Sequence, residues 1–482
     1  MVVIMQLSRI TVMLAAVLLS LMLASASAQN RLPEIGTTGA SIMSIEKEQT
    51  FGDLYMRQVR ATAPIAADPV LEEYLKDLGN RLVREADDVR FPFSFFWVNQ
   101  DQINAFAFFG GYIGINTGLI AETRSESELA SVIAHEVAHV SQRHLVRNMG
   151  SMQNSGPATI AAVIGSLLLS MVSPDLGMAA MSGTLAGVKQ VGINYTRMYE
   201  QEADRIGLTM LARAGFDPQG APDFFGRMAE KYRYASKMPA MLQTHPVSEA
   251  RIADTRQRAE QMPRPLIRDE SRYWLAKYRV QTRHLKQLNQ AALTNAMANS
   301  NSDIANAGRY GLAILLLDQS QPEQALTTLA PLLRRDPMNA FYLDVQTDIL
   351  LALKRYDEAL AMLEKAYIRE PNEQTITLNF ANAALEAGKP DLSINLLRDY
   401  LSRDDDNVLA IDLIINAYRR KGDSSSMFEY QSRLYALHGG FDEAINSLHR
   451  AHKQSSTELE QRRLQARVEQ LMEQKRQLEQ LR

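Results

Sequence analysis

SESELASVIAHEVAHVSQRHLVRN, Ser125 to Asn148, is the stretch on which the reading of this chain turns. Ser125 and Glu128 match the S-x-x-E pair that caps helix starts. Leu129, Val132, Ile133 and Val140 follow at helical spacing, and Gly150 stands past the end. The spacing predicts one helix over 125–148. Residues four apart on a helix share a face, with Cβ atoms about 5–6 Å apart. His135 and His139 therefore point the same way. Two imidazoles so placed can bind one zinc ion at roughly 2.0–2.1 Å each, and Glu136 on that inward side can reach a water on the metal. The chain has eight His and 55 acidic residues in 482. Such a chain yields an H-E-x-x-H match by chance about 0.015 times.

A catalytic zinc needs a third protein ligand and an open position. A further His shortly after the motif, the metzincin solution, is not available: His144 is only five residues past His139 and still on the predicted helix. The gluzincin solution is an acid on a later helix. Tyr195 to Ala214 reads as that helix, stopping at Gly215, and it carries Glu200, Glu202 and Asp204. Glu200 and Asp204 are four apart and share a face, whereas Glu202 points elsewhere. Glu200 is thus expected as the ligand, with Asp204 one turn on, orienting His135 or His139 from behind.

Outward from the two helices, Pro69 to Ala86 has helical spacing at Leu71, Tyr74, Leu75, Leu78 and Leu82. Phe91 to Val98 reads as an aromatic strand, and Asn104 to Leu119 as two short strands joined at Gly110-Gly111. That hairpin is expected to offer an edge on which an extended peptide pairs through its backbone. Residues 150–190, rich in Met, Gly and Ser, read as a lid-like insertion with membrane contact as an option. Pro263 and Pro265 punctuate the chain, and linker helices are expected over 266–302.

Beyond residue 303 the sequence repeats. Pro322, Tyr356 and Pro390 open similar segments 34 residues apart, and a fourth copy at Phe441 arrives 51 residues later, one and a half periods. A 34-residue period with small residues at the helix crossing resembles the tetratricopeptide repeat, in which stacked helix pairs share a core and leave a concave groove. The expected array covers 303–456, followed by a charged helix over 457–482.

Composition narrows the class. There is no Cys, which removes disulfide scaffolds, cysteine-ligated metal sites and cysteine nucleophiles. A net charge of −3 gives no electrostatic case for nucleic acid. The N-terminus reads as an export signal: Arg9, an apolar run from Ile10 to Leu23, then Ala26-Ser27-Ala28 as a cleavage pattern. Signal peptide 1–28 and mature protein from 29 predict a periplasmic location, with the metal-binding domain spanning 29–265.

HEVAH, the E-x-E-A-D-R run from Glu200 to Arg205 and the downstream Thr244-His245-Pro246 together resemble the peptidase family of the CaaX prenyl endopeptidases and the HtpX heat-shock proteases. The resemblance implies an α+β chain: a mainly helical zincin domain of gluzincin type with a small sheet, then an all-α tetratricopeptide solenoid. It implies zinc, one per chain, on His135, His139 and Glu200, with Glu136 as general base and Asp204 as supporting residue or proton donor. His245 is left with two roles: oxyanion donor together with Arg251, or a fourth zinc ligand that displaces water and silences the enzyme. A periplasmic member carrying repeats is expected to act on unfolded or stalled outer-membrane β-barrel proteins and to dock the barrel assembly machinery through the repeats. The competing expectation is a chaperone or adaptor whose zinc site is latent.

Overall fold

The computed structural model describes residues 43–150, 197–236, 238–265 and 269–479. The expected export signal and all but the first residue of the 150–190 insertion lie outside them. No helix among the described residues is long and apolar enough to cross a membrane.

Helix α1 (Ile45–Thr62) is capped by Ser44, and α2 (Pro69–Val83) by Asp68 with Pro69 in its first turn. The apolar spacing read over 69–86 is the buried face of α2, with Leu71, Tyr74, Leu75, Leu78 and Leu82 inside. Strands β1 (Ser94–Val98), β2 (Ala105–Phe108) and β3 (Tyr112–Asn116) form one sheet in the order β1-β3-β2. β1 runs parallel to β3, and β2 antiparallel to it. The β2–β3 turn is the one expected at Gly110-Gly111, where φ is +74° and +85°. A Cβ on Gly111 would lie 2.3 Å from the Pro92 carbonyl oxygen, so only glycine fits.

One expectation needs correction here. Strand reading ran to Leu119, yet Thr117–Glu122 is helix α3. β3 is the central strand, so its outer side is taken by β1, and the peptide-pairing edge falls to β2 alone within that hairpin.

The predicted 125–148 helix is two helices. α4 (Glu126–Ser141) starts as expected, with the Ser125 hydroxyl accepting from the Glu128 N–H, and every residue of it is buried. It stops before Arg143, whose φ is +51°, and α5 (His144–Gly150) leaves in a new direction. A left-handed non-glycine residue costs about 1–2 kcal/mol. Arg143 is held there by Glu48 Oε2 at 2.8 Å and the Met43 carbonyl at 2.6 Å. Gly150 accordingly ends α5 and does not follow α4.

α6 (Arg197–Arg213) ends at Gly215, φ +78°, as read from the sequence. It crosses α4 closely because Gly207 has no side chain: a Cβ there would lie 3.1 Å from backbone atoms of Ala134 and His135. α7 (Gly220–Lys231), α8 (Ala240–Thr244) and α9 (Glu249–Glu260) complete the wall around this crossing.

α10 (Ser271–Arg279) runs into a π-turn at Val280–His284, and α11 (Gln290–Met297) follows. Then come antiparallel helices α12 (Ser302–Asp318), α13 (Pro322–Arg335), α14 (Ala340–Ala352), α15 (Tyr356–Arg369), α16 (Gln374–Glu386) and α17 (Pro390–Leu401). They continue as α18 (Val408–Lys421), α19 (Ser424–Leu437), α20 (Phe441–Gln454) and α21 (Glu458–Glu479). Pro322, Tyr356, Pro390 and Phe441 each open a helix. One helix separates the earlier copies and two separate the last, which is the half-period offset seen in the sequence. The described chain is therefore α+β, mainly helical with a small sheet, and continues into a helical repeat array.

The array folds back onto the first domain. Arg60 meets Asp406 at 2.6 Å, Lys76 meets Asp404 at 3.2 Å, and the Thr375 hydroxyl donates to Glu73 at 2.7 Å. Deeper in, Arg279 is buried between Asp68 and Asp344, 2.7 Å from each, and His284 sits 2.8 Å from Asp68.

Candidate metal centre

Four buried donors converge where α4 crosses α6: His135 and His139 from α4, Glu200 from the first turn of α6, and His245 from the residue after α8. His135 Nε2 lies 3.0 Å from His139 Nε2 and 3.3 Å from His245 Nδ1. Glu200 lies 3.0 Å from His245 Nδ1, 3.4 Å from His139 Nε2 and 3.5 Å from His135 Nε2. These separations match the edges of a tetrahedron whose ligands stand about 2.0–2.1 Å from its centre, the zinc–nitrogen distance.

The tautomers make the same point. His135 Nδ1 faces Asp204 at 3.1 Å, and His139 Nδ1 faces His144 Nδ1 at 2.9 Å. With their protons on Nδ1, both Nε2 atoms present lone pairs to each other at 3.0 Å. Such an arrangement is repulsive unless positive charge, a metal ion or a proton, lies between them. The donor set therefore fits a metal ion.

The supporting residues are equally specific. Arg251 donates from Nε and Nη2 to the two Asp204 oxygens at 2.7 and 2.8 Å, and its Nη1 reaches Glu200 at 2.7 Å and the Pro246 carbonyl at 2.8 Å. The guanidinium of Arg251, expected beside His245 as an oxyanion donor, is turned to Asp204, Glu200 and the Pro246 carbonyl. Burial alone would raise both acids, but Arg251 and His135 hold Asp204 below its usual range, and the three histidines pull Glu200 far down. Burial lowers His135, yet Asp204 and Glu200 outweigh it and push it up to about 10. Burial drives His139 well down.

Glu136 differs from its neighbours. Both its carboxylate oxygens are buried without a hydrogen-bond partner, and His245 Nε2 stands 3.5 Å from one of them. Burial raises its pKa. Burying a carboxylate without a hydrogen bond is costly, so its place beside the ligand cluster calls for a chemical reason.

All six sequence candidates, His135, Glu136, His139, Glu200, Asp204 and His245, thus meet in one place. Glu202 points away as expected, to His144 Nε2 at 3.3 Å and Arg147 at 3.1 Å. Sequence reasoning missed the clamp by Arg251 and the approach of His144. It also missed Gly207, whose place seven residues after Glu200, on the same helical face, was the available signal.

A buried histidine and glutamate cluster of this form, on a helix crossing next to a short mixed sheet, defines a metallopeptidase. The family model of peptidase family M48 matches residues 69–259, and tetratricopeptide repeat models match residues 310–374 and 350–413. The Beta-barrel assembly-enhancing protease of Escherichia coli (strain K12) is 41% identical over 451 residues, 93% of this chain and 92% of that protein. The protein of that name from Yersinia pestis is 42% identical over 448 residues, 92% of each chain. Metalloprotease LoiP of Escherichia coli (strain K12) is 26% identical over 220 residues, 45% of this chain and 82% of that protein. The chain belongs to the family of the beta-barrel assembly-enhancing proteases, with a metallopeptidase domain of family M48 joined to tetratricopeptide repeats.

Proposed function

We propose that this protein is a periplasmic zinc endopeptidase that cleaves unfolded or stalled outer-membrane β-barrel proteins, and that its repeats dock the barrel assembly machinery. The names of the full-length relatives support the client class, and the repeat array supports docking to protein partners. The apolar run and small-residue pattern ending at Ala28 support export.

One zinc ion per chain would be held by His135, His139 and Glu200, with His245 in the fourth position. Bound there, zinc supplies acidification of a water and polarisation of the scissile carbonyl. The observation that carries the reading is the unpaired, buried Glu136 carboxylate beside the ligand cluster. Glu136 takes the proton of the attacking water and hands it to the leaving amine. Asp204, clamped by Arg251, fixes the His135 ring. The outer side of β2, next to α4, is the edge for an extended substrate backbone.

His245 Nδ1 within the ligand ring favours a latent resting state, in which the chain acts as a chaperone or adaptor until the segment after α8 withdraws. The test compares wild type with Glu136→Gln and His245→Ala for zinc content and casein cleavage. Expected are one zinc per chain in wild type, retained zinc with lost cleavage in Glu136→Gln, and faster cleavage in His245→Ala. Zinc in every variant with cleavage in none would leave the adaptor role alone.

A further inference from the structure

His144 is fully buried, and the reaction described above does not use it. On an unbroken helix, residues five apart point about 140° away from each other. The left-handed turn at Arg143 cancels that divergence and brings His144 Nδ1 to 2.9 Å from His139 Nδ1. The ring is wedged parallel to Tyr199, centroids 4.8 Å apart, and Arg147 lies over the other part of that stack, 4.7 Å from the Tyr199 ring. Its far nitrogen, Nε2, is 3.3 Å from Glu202, which Arg147 also holds at 3.1 Å.

We propose that His144 and Glu202 are positioning residues for the metal, forming a two-residue relay that orients His139. With Nε2 of His139 turned to the ligand ring, its Nδ1–H donates to His144 Nδ1. The His144 proton then resides on Nε2, 3.3 Å from the Glu202 carboxylate. No charge is needed on either ring. A metal-bound imidazole whose other nitrogen is held keeps its tautomer and its basicity, and losing that partner lowers metal affinity about 10–100-fold. His135 has the short form of this support, a direct contact to Asp204. His139 has the long form, and it exists only because the chain reverses at Arg143.

The inference rests on the metal-site reading above, and the experiment separates the two. Full-length protein is loaded with zinc, and zinc release to a chromogenic chelator is followed for wild type, His144→Ala, His144→Asn, Glu202→Gln and the ligand control His135→Ala. Melting of each metal-free protein is recorded alongside. Expected are about 10–100-fold weaker zinc retention in His144→Ala and a few-fold loss in Glu202→Gln. His144→Asn should recover most of the retention, because its amide oxygen can accept the His139 proton. Metal-free melting should fall in both His144 variants because of the space the ring leaves, so the relay is read from the difference in zinc retention between them. Wild-type zinc retention in His144→Ala overturns the relay. So does equal loss of zinc in His144→Ala and His144→Asn, which is the mark of packing alone. If His144→Ala does not fold, a His144→Asn variant that folds yet holds zinc no better than His135→Ala overturns it too. Failure of wild type to take up zinc brings down the metal-site reading itself.

Discussion

Among the described residues two buried ionic clusters invite comparison, and they differ in how their acids are partnered. At the junction of protease and repeats, Arg279 stands between Asp68 and Asp344, and His284 adds a further donor to Asp68. Burial would lower the Arg279 pKa, but the two aspartates outweigh it, so both signs are satisfied within the protein. At the α4–α6 crossing, Glu136, Glu200 and Asp204 face the single guanidinium of Arg251, and three histidine nitrogens add lone pairs. Acceptors exceed donors there. A cluster whose acids all meet close cationic donors acts as a fastener, whereas one that leaves Glu136 without a hydrogen bond and turns imidazole nitrogens towards one another is suited to receive a cation.

The largest expected effect breaks the second cluster's chemistry and leaves its balance alone. Glu136→Gln should lower casein cleavage by about 10²–10⁴-fold, with zinc content by elemental analysis unchanged. Next come the two arginines. Removing one partner of a buried ion pair costs about 3–5 kcal/mol, so Arg251→Ala and Arg279→Ala should both melt early in calorimetry. They should differ in zinc: Arg251→Ala loses it, and Arg279→Ala keeps it. Replacing Arg279 by Met together with Asp68→Asn and Asp344→Asn should regain most of the stability. Equal zinc loss at both sites would erase the distinction between fastener and receptor.

Gly207→Ala should cost about 1–3 kcal/mol by pushing α6 off Ala134, visible in melting, and should loosen zinc as well. The last effect belongs to the junction and shows only as pH rises. Burial, helped by Asp68 and Asp404, raises the Glu72 carboxyl from 4.5 to about 8. Folding therefore takes up a proton there, and this contribution to stability declines as pH rises from 4.5 towards 8. Glu72→Gln should be indistinguishable from wild type near pH 5 and melt higher at pH 8.5.

What the sequence reveals follows the range of the interactions. Cap, apolar spacing and the H-E-x-x-H pattern are local, so α4 and the facing of His135 and His139 are readable. Glu200 and Asp204 are readable because one helix places them on one face. The 34-residue period betrays the array because each repeat packs on its neighbour. The break at Arg143 is not readable: Glu48 and Met43, about a hundred residues earlier, hold it. Distance hides Arg251 as well, whose carboxylate partners lie 47 residues upstream or more. The parallel pairing of β1 with β3 is non-local too, and Thr117–Glu122 is helical although its residues continue the strand pattern.

Helix α6 carries Glu200, Glu202 and Asp204 within its first two turns, and each serves a different part of the centre. The ligand, the brace of His135 and the far end of the His139 relay are thus welded to one rigid rod. They cannot be withdrawn one by one. A slip of that rod past α4 would disturb all three together, whereas His245, carried by the separate segment after α8, can leave without them.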